Sequence, residues 1–279
     1  MTAKKPNGRK PQPAGSRERD IIIARCVICA MIFVITSAAG ALVFNAVCRK
    51  TAGWSDISSP AADTDMSGYE EYINPIRKKR DAFLTVFGRG NPVKSVPDDI
   101  SVLPSGIAPG TVSVRLYPGK ALEAMFTEME ALGVPLTDTS GNRLSVIRGY
   151  VPKEEQQAEF DAEVARILKK DPTLTKNMAE SIATVTVSRP GEDEHQSGLS
   201  ADISFPGMTA QAFRRTDAYL WLKENSWKFG FVLRYPEGKE DITGNLPEPW
   251  HFRYVGRHHA AEMYRSGLCL EEYIDSLTS

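Results

Sequence analysis

The sequence predicts an α+β domain, a small antiparallel sheet packed with helices, preceded by one transmembrane helix. Three observations lead there. Apolar residues recur at helical spacing through the middle of the chain, and short strand-like runs collect toward the C-terminus with short joining loops, which is segregation of elements rather than regular strand-helix alternation. Near the N-terminus, one apolar stretch stands apart from the soluble pattern.

That stretch comes first in order. From Ile21 to Cys48 the only formal charge is Arg25, and residues 26–47 are long enough to cross about 30 Å of hydrocarbon as a helix. Lys4, Lys5, Arg9, Lys10, Arg17, Arg19 and Arg25 precede it, against Arg49 and Lys50 after it. The positive-inside bias therefore makes residues 1–20 a cytoplasmic basic tail and places everything beyond residue 50 outside the cell, in a single-pass membrane protein. A cleaved signal peptide is the alternative, with Ser37-Ala38-Ala39 as a small-residue site, but the apolar run continues to Val47, past the roughly 7–15 residues of a signal core. Cys48 as a lipoprotein cysteine is disfavoured by the large Val47 before it.

Residues 49–80 are expected to be an extracytoplasmic tether, rich in Ser, Asp, Ala and Thr at first and then mixed and charged. The folded domain is expected over residues 81–279. Pro92, Pro97, Pro104 and Pro109 argue against long helices at its start. Leu122, Met125, Met129 and Leu132 predict a helix over 120–132 stopped by Gly133, and Phe160, Val164 and Leu168 another over 154–168. Strands are expected at 144–148, 201–205, 231–235 and 250–255, a helix at 210–228, and a terminal helix after His258 and His259, which should form its solvated start. Net charge is −1, so bulk attraction to nucleic acid is excluded as a driving force. Cys26, Cys29 and Cys48 lie in or beside the apolar segment and leave Cys269 alone, so the outer domain has no internal disulfide framework and must stand on its core.

Two short runs carry candidate chemistry. His195-Gln196-Ser197-Gly198-Leu199-Ser200-Ala201-Asp202 pairs a histidine with a carboxylate across a glycine turn, and Glu248-Pro249-Trp250-His251 supplies a second histidine. Zinc accepts imidazole nitrogen and carboxylate oxygen, and catalytic sites use three protein ligands with an open fourth position. The residues alone leave open a plain surface hydrogen bond between His195 and Asp202.

The run from Ser188 through His195 to Ile203, together with Leu233-Arg234-Tyr235-Pro236-Glu237-Gly238 and Glu248-Pro249-Trp250-His251-Phe252-Arg253-Tyr254, resembles the zinc signature of the VanY-type D-alanyl-D-alanine carboxypeptidases. Weaker similarity extends from Leu84 through Gly149-Tyr150 and Gln156. The resemblance implies a zinc site in a central cleft, with His195, Asp202 and His251 as ligands and Glu248 as general base. It also implies a peptidoglycan peptide as substrate, with Gln156, Asp193, Ser197, Tyr235 and Trp250 at the substrate. Glu194 is the competing carboxylate, but as the neighbour of His195 in an extended segment it is expected to face away. Tyr235 and Trp250 either line the cleft or belong to the core.

Departures from the family fall together. Its members carry Arg after the Gly-Tyr pair, where this chain has Val151, and a small hydroxyl residue where it has Asp193; Ser200 for a small apolar residue is a mild change. An ionised Asp193 would repel a substrate carboxylate, and the cation that would offset it is missing. Arg148 stands three positions from Val151, which by strand alternation puts it on the opposite face; Arg189 and Arg234 are other candidate donors. Three readings remain: a carboxypeptidase with a relocated arginine, an endopeptidase that needs no free carboxylate, and a non-catalytic zinc-containing wall-binding module. Retention of Glu248 beside the ligands favours an enzyme.

Overall fold

A computed structural model describes residues 83–278. The tail, transmembrane helix and tether expected over residues 1–80 lie outside the described residues. Among the described residues no helix is long and apolar enough to cross a membrane.

Two antiparallel sheets organise the domain. Strands β1 (Ile100–Val102) and β2 (Ser113–Arg115) form a two-stranded ribbon, while β3 (Ser145–Arg148), β4 (Ser200–Ser204), β5 (Phe231–Leu233) and β6 (His251–Tyr254) form a four-stranded sheet in the order β3-β4-β6-β5. Around them lie α1 (Leu116–Ala131), α2 (Lys153–Lys170), α3 (Lys176–Ala183), the one-turn α4 (Ala210–Phe213), α5 (Asp217–Asn225), the one-turn α6 (Glu240–Thr243), α7 (Arg257–Ser266) and α8 (Leu270–Thr278). The α+β class holds. Strands and helices are interleaved, however, rather than helices first and strands last.

The larger sheet is buried on both faces, and period-two alternation sorts its side chains. Val146, Ala201, Ile203, Phe231, Phe252 and Tyr254 join the main core. Ala121, Leu122, Met125, Phe126 and Met129 of α1 belong to the same core. The other face of β4 and β6 carries Ser200 and Asp202 opposite Arg253 and His251 in the register. A strand that reads polar at every second residue and is nonetheless fully buried must supply partners for those groups.

Several local rules set the boundaries. Helix α1 ends as its glycine predicts: Gly133 adopts φ 68° and its N–H reaches Glu130, while Val134 N–H reaches Met129, the double closure of a Schellman cap. It begins before the expected Lys120, because Pro118 sits in the first turn, where its missing N–H would have had no helical partner. The helix expected over 210–228 is divided. Thr216 accepts a hydrogen bond from Tyr219 N at 3.1 Å and starts α5 afresh, and a 3-10 turn over Ser226–Phe229 ends the segment. The β1–β2 ribbon, α3, α6 and the separate α8 were not expected from periodicity. His259 is buried and its Nδ1 lies 2.9 Å from the Tyr273 hydroxyl, so it is part of the α7–α8 packing, whereas His258 is exposed as expected for a helix start.

Gly198 closes the turn that delivers His195. Its φ is +66°, and an added Cβ would stand 2.7 Å from Ile100 Cδ1 and 2.8 Å from Arg115 Cγ. Both the backbone conformation and the space demand glycine. Gly198→Ala is expected to cost on the order of 1–3 kcal/mol, seen as a thermal midpoint several degrees lower; an unchanged midpoint would contradict this role for the turn.

Candidate metal centre

Asp202 and His251 are directly opposed in the β4–β6 register, so their side chains rise from the same face of the sheet. His195 comes from a 3-10 turn, Glu194–Ser197, rather than from an extended segment. Asp193 caps that turn, its Oδ1 accepting from His195 N at 2.8 Å. Glu248 is brought alongside by a tight turn with proline at its second position, in which His251 N donates to Glu248 O at 3.2 Å.

The three expected ligands meet. His195 Nε2 lies 3.2 Å and His251 Nδ1 3.1 Å from Asp202 Oδ1, and one atom of each residue lies within 4.8 Å of the others. Each ring is held by its outer nitrogen. His195 Nδ1 lies 2.8 Å from the Gly149 carbonyl oxygen, and His251 Nε2 lies 3.3 Å from Glu194 Oε2. With those outer nitrogens donating, the neutral rings turn two bare lone pairs and a carboxylate oxygen toward one point, an arrangement that requires protons or a metal cation. The donor set suits zinc, and neutral imidazoles with one carboxylate also match its ligand chemistry.

Titration behaviour agrees with that arrangement. Burial pushes the His251 imidazolium pKa down, but Asp202 and Glu194 outweigh it and raise the value to about 10. Burial raises and the two histidines lower Asp202, with the balance well below the usual carboxylate range. Glu248 is raised, chiefly by burial. Its Oε2 sits 3.5 Å from His251 Nδ1, and its side chain is 34% exposed in a cleft of about 1070 Å³.

The other expected site residues separate into two groups. Tyr235 and Trp250 line the cleft, as do Gln156 and Asp193, and the Tyr235 ring centroid is 5.1 Å from that of His251. Trp250 also packs against the core, so the two readings of that residue are compatible. Ser197 does not line the cleft: its hydroxyl donates to Glu194 O at 2.6 Å and accepts from Leu199 N at 3.2 Å, which commits it to holding the turn. Arg189 faces Glu180 and the Phe160 ring, outside the cleft, and Arg234 is buried and engaged by Glu194 and Glu271.

Three features escaped the sequence reading. Glu194 faces neither solvent nor the metal position but the far nitrogen of His251, where Arg234, Arg253 and the Ser200 hydroxyl also hold it. Ser200 therefore has a definite task. Arg253 and Ser200 each stand two residues from a ligand on the same strand face, and alternation alone would have flagged both. Arg148 lies in the cleft, contrary to expectation, because β3 carries an irregularity between Val146 and Arg148 that places Arg148 opposite Asp202. The irregularity takes Arg148 out of parity with the core-facing Val146, and β3 ends at Arg148, so strand alternation does not extend from Val151 back to it.

Comparison with known proteins gives concordant results. Residues 114–257 match the model of the family described as VanY, D-alanyl-D-alanine carboxypeptidase. A D-alanyl-D-alanine carboxypeptidase of Enterococcus faecalis is 37% identical over 195 residues, 69% of this chain and 66% of that enzyme's length. A solved VanY D,D-pentapeptidase from a VanB-type resistance cassette, in complex with Zn(II), is 34% identical with a TM-score of 0.54, covering 69% of this chain and 98% of that one. VanYB in complex with D-alanine-D-alanine is 35% identical with a TM-score of 0.55, covering 70% and 98%.

Because His251 holds its proton at pH 7 in the metal-free site, zinc uptake must expel it. Zinc affinity is therefore expected to rise as pH increases toward about 10, and zinc binding near pH 7 to release protons. Calorimetry in buffers of different ionisation heat reads this directly; a binding enthalpy independent of buffer would contradict it.

Proposed function

The chain belongs to the VanY family of D-alanyl-D-alanine carboxypeptidases, and from that premise we propose that it is a zinc metallopeptidase that hydrolyses peptide bonds in peptidoglycan stem peptides, releasing C-terminal D-alanine. One observation carries the reading: His195 Nε2, Asp202 Oδ1 and His251 Nδ1 converge with the Glu248 carboxylate at their side.

Each residue has a task that follows from its surroundings. His195, Asp202 and His251 would hold zinc, which supplies Lewis acidity toward water and the scissile carbonyl. Glu248 takes the proton of the attacking water and returns it to the leaving amine. Its environment suits this work, since burial raises its pKa and makes it a better base than an ordinary carboxylate. Tyr235, Trp250, Gln156 and Asp193 line the same cleft. The wall-binding-module reading gives Glu248 no purpose. Its carboxylate meets no arginine or lysine among the described residues and is turned instead toward His251 Nδ1 at 3.5 Å, which leaves it available as a base.

For location, we propose a single-pass anchor over residues 21–48 that keeps the domain on the outer side of the membrane, supported by the basic flank before it and the uncharged length of residues 26–47. Peptidoglycan is the substrate available there.

Glu248→Gln is expected to lower D-alanine release by about 10²–10⁴-fold while zinc content stays near one equivalent; retained turnover would remove Glu248 from the role of base. Deleting residues 1–80 should move the protein from the membrane fraction to the soluble fraction with activity on soluble muropeptides intact, and recovery of the full chain as a soluble protein would overturn the anchor.

A further inference from the structure

A D-alanine carboxypeptidase must bind a free carboxylate one residue beyond the scissile bond, close to Glu248 and Asp202, and such a group needs a cation. Among the described residues lining the cleft there is no lysine, and the arginines are Arg89, Arg148 and Arg234. Arg234 is spent: its Nε is 3.0 Å from Glu194 and its terminal nitrogens are 3.0 and 2.6 Å from Glu271. Arg89 belongs to the exposed turn closed by the Gly88–Asn91 bridge rather than to the strands that carry Asp202 and His251. Arg148 is different on every count.

Its strand register puts it in line with the metal ligands. Arg148 opposes Asp202 across β3–β4, and Asp202 opposes His251 across β4–β6, so the three side chains form one row on one face. The guanidinium is anchored from one end. Glu159 accepts from Nη1 at 2.9 Å and from Nη2 at 2.8 Å, a fork-to-fork pair. Gln156 Oε1 and Asp193 Oδ2 approach Nη2 only at 3.4 and 3.5 Å, and Nε makes no hydrogen bond among the described residues. Five N–H donors are thus fixed in direction: Glu159 takes one from each Nη, while Nε–H and the second N–H of Nη2, side by side on the other edge, are left with only the long contacts. The Arg148 side chain is 32% exposed, which leaves that edge reachable from the cleft.

We propose that Arg148 is the specificity-determining residue that reads the free C-terminal carboxylate of the substrate along its Nε–Nη2 edge, with Glu159, Gln156 and Asp193 as positioning residues. The assignment rests on the hydrolytic reading above. It gives the cleft the cation whose place in the family is filled here by Val151, a buried residue that does not line the cleft. Asp193 then has two tasks, capping the turn of His195 and steadying Arg148, and its charge is offset by the guanidinium rather than aimed at the substrate.

The test uses the zinc-loaded full chain and two substrates, an acylated peptide ending in D-alanyl-D-alanine and the same peptide with a C-terminal amide. The wild type should prefer the free acid in kcat/KM by about 10- to 100-fold. In Arg148→Gln that ratio should collapse toward unity. General damage to the fold would lower both rates and keep the ratio. Arg148→Lys, which keeps the charge but not the fork, should give an intermediate ratio and decides the matter if the glutamine variant does not fold. Binding gives a second readout: in a zinc-loaded Glu248→Gln background, Arg148→Gln should weaken D-alanyl-D-alanine by about tenfold or more. A wild type that cleaves acid and amide equally, a variant that keeps the wild-type ratio, or an unchanged Kd overturns the assignment and leaves the hydrolase standing. A zinc-loaded chain that cleaves neither peptide overturns both.

Discussion

The carboxylate of Glu194, buried beneath the metal position, is the contact on which the rest of this structure turns. Arg234 and Arg253 flank its Oε1, while Oε2 takes the Ser200 hydroxyl at 2.9 Å and faces His251 Nε2 at 3.3 Å. Isolated, a carboxylate so buried would be neutral; burial does push its pKa up, but the two guanidinium groups and His251 more than reverse this and keep it ionised. The ionised form is what fixes the His251 ring, by accepting from the nitrogen that the metal does not use. Buried ion networks of this kind contribute little net stability, yet removing one member strands the others at a cost of about 3–5 kcal/mol.

From that carboxylate the chain's distant parts are tied to the site. Arg234 reaches on to Glu271 of α8, and Arg253 reaches back to the carbonyls of Phe83 and Thr85 at 3.0 and 2.9 Å. The final helix and the first described residues therefore converge on one ligand's support. The outer nitrogen of His195 meets a backbone group instead, the Gly149 carbonyl, and Gly149 is itself wedged against Ser113, whose oxygen would stand 2.1 Å from an added Cβ. One histidine is oriented by charge and the other by close packing of strands.

Much of this was legible. The family resemblance led to the expectation that His195, Asp202, His251 and Glu248 would come together, as they do, and the main strands follow from period-two alternation, because a strand two-sidedly buried still sorts its residues by parity. What was lost was lost where local geometry changes the count. The irregularity in β3 reverses the face of Arg148, the 3-10 turn redirects Glu194 from the place an extended chain would give it, and Thr216 interrupts a helix whose apolar spacing runs straight through it. Ser197 was misjudged for a related reason. Its position in the motif is conspicuous, but the turn takes its one donor and one of its acceptor positions, and the residue lies outside the cleft lining.

The two departures from the family pattern, Val151 and Asp193, together work against a substrate carboxylate in sequence, one by removing a cation and the other by adding an acid. In space they belong to one rearrangement of charge. Arg148 stays cationic at any working pH: its bonds to Glu159 raise its pKa well above the ordinary value, burial opposes this, and Asp193 and Asp202 add to the rise. That cation balances Asp193, and Glu159 in turn balances the cation, so the wall beside the metal carries paired charges instead of a lone acid. Such a wall holds its guanidinium in one orientation, at the expense of sharing it among three acceptors. A substrate carboxylate arriving there competes with long contacts at 3.4 and 3.5 Å rather than with the tight fork of Glu159, which makes recognition directional while keeping its electrostatic pull smaller than that of an unshared arginine.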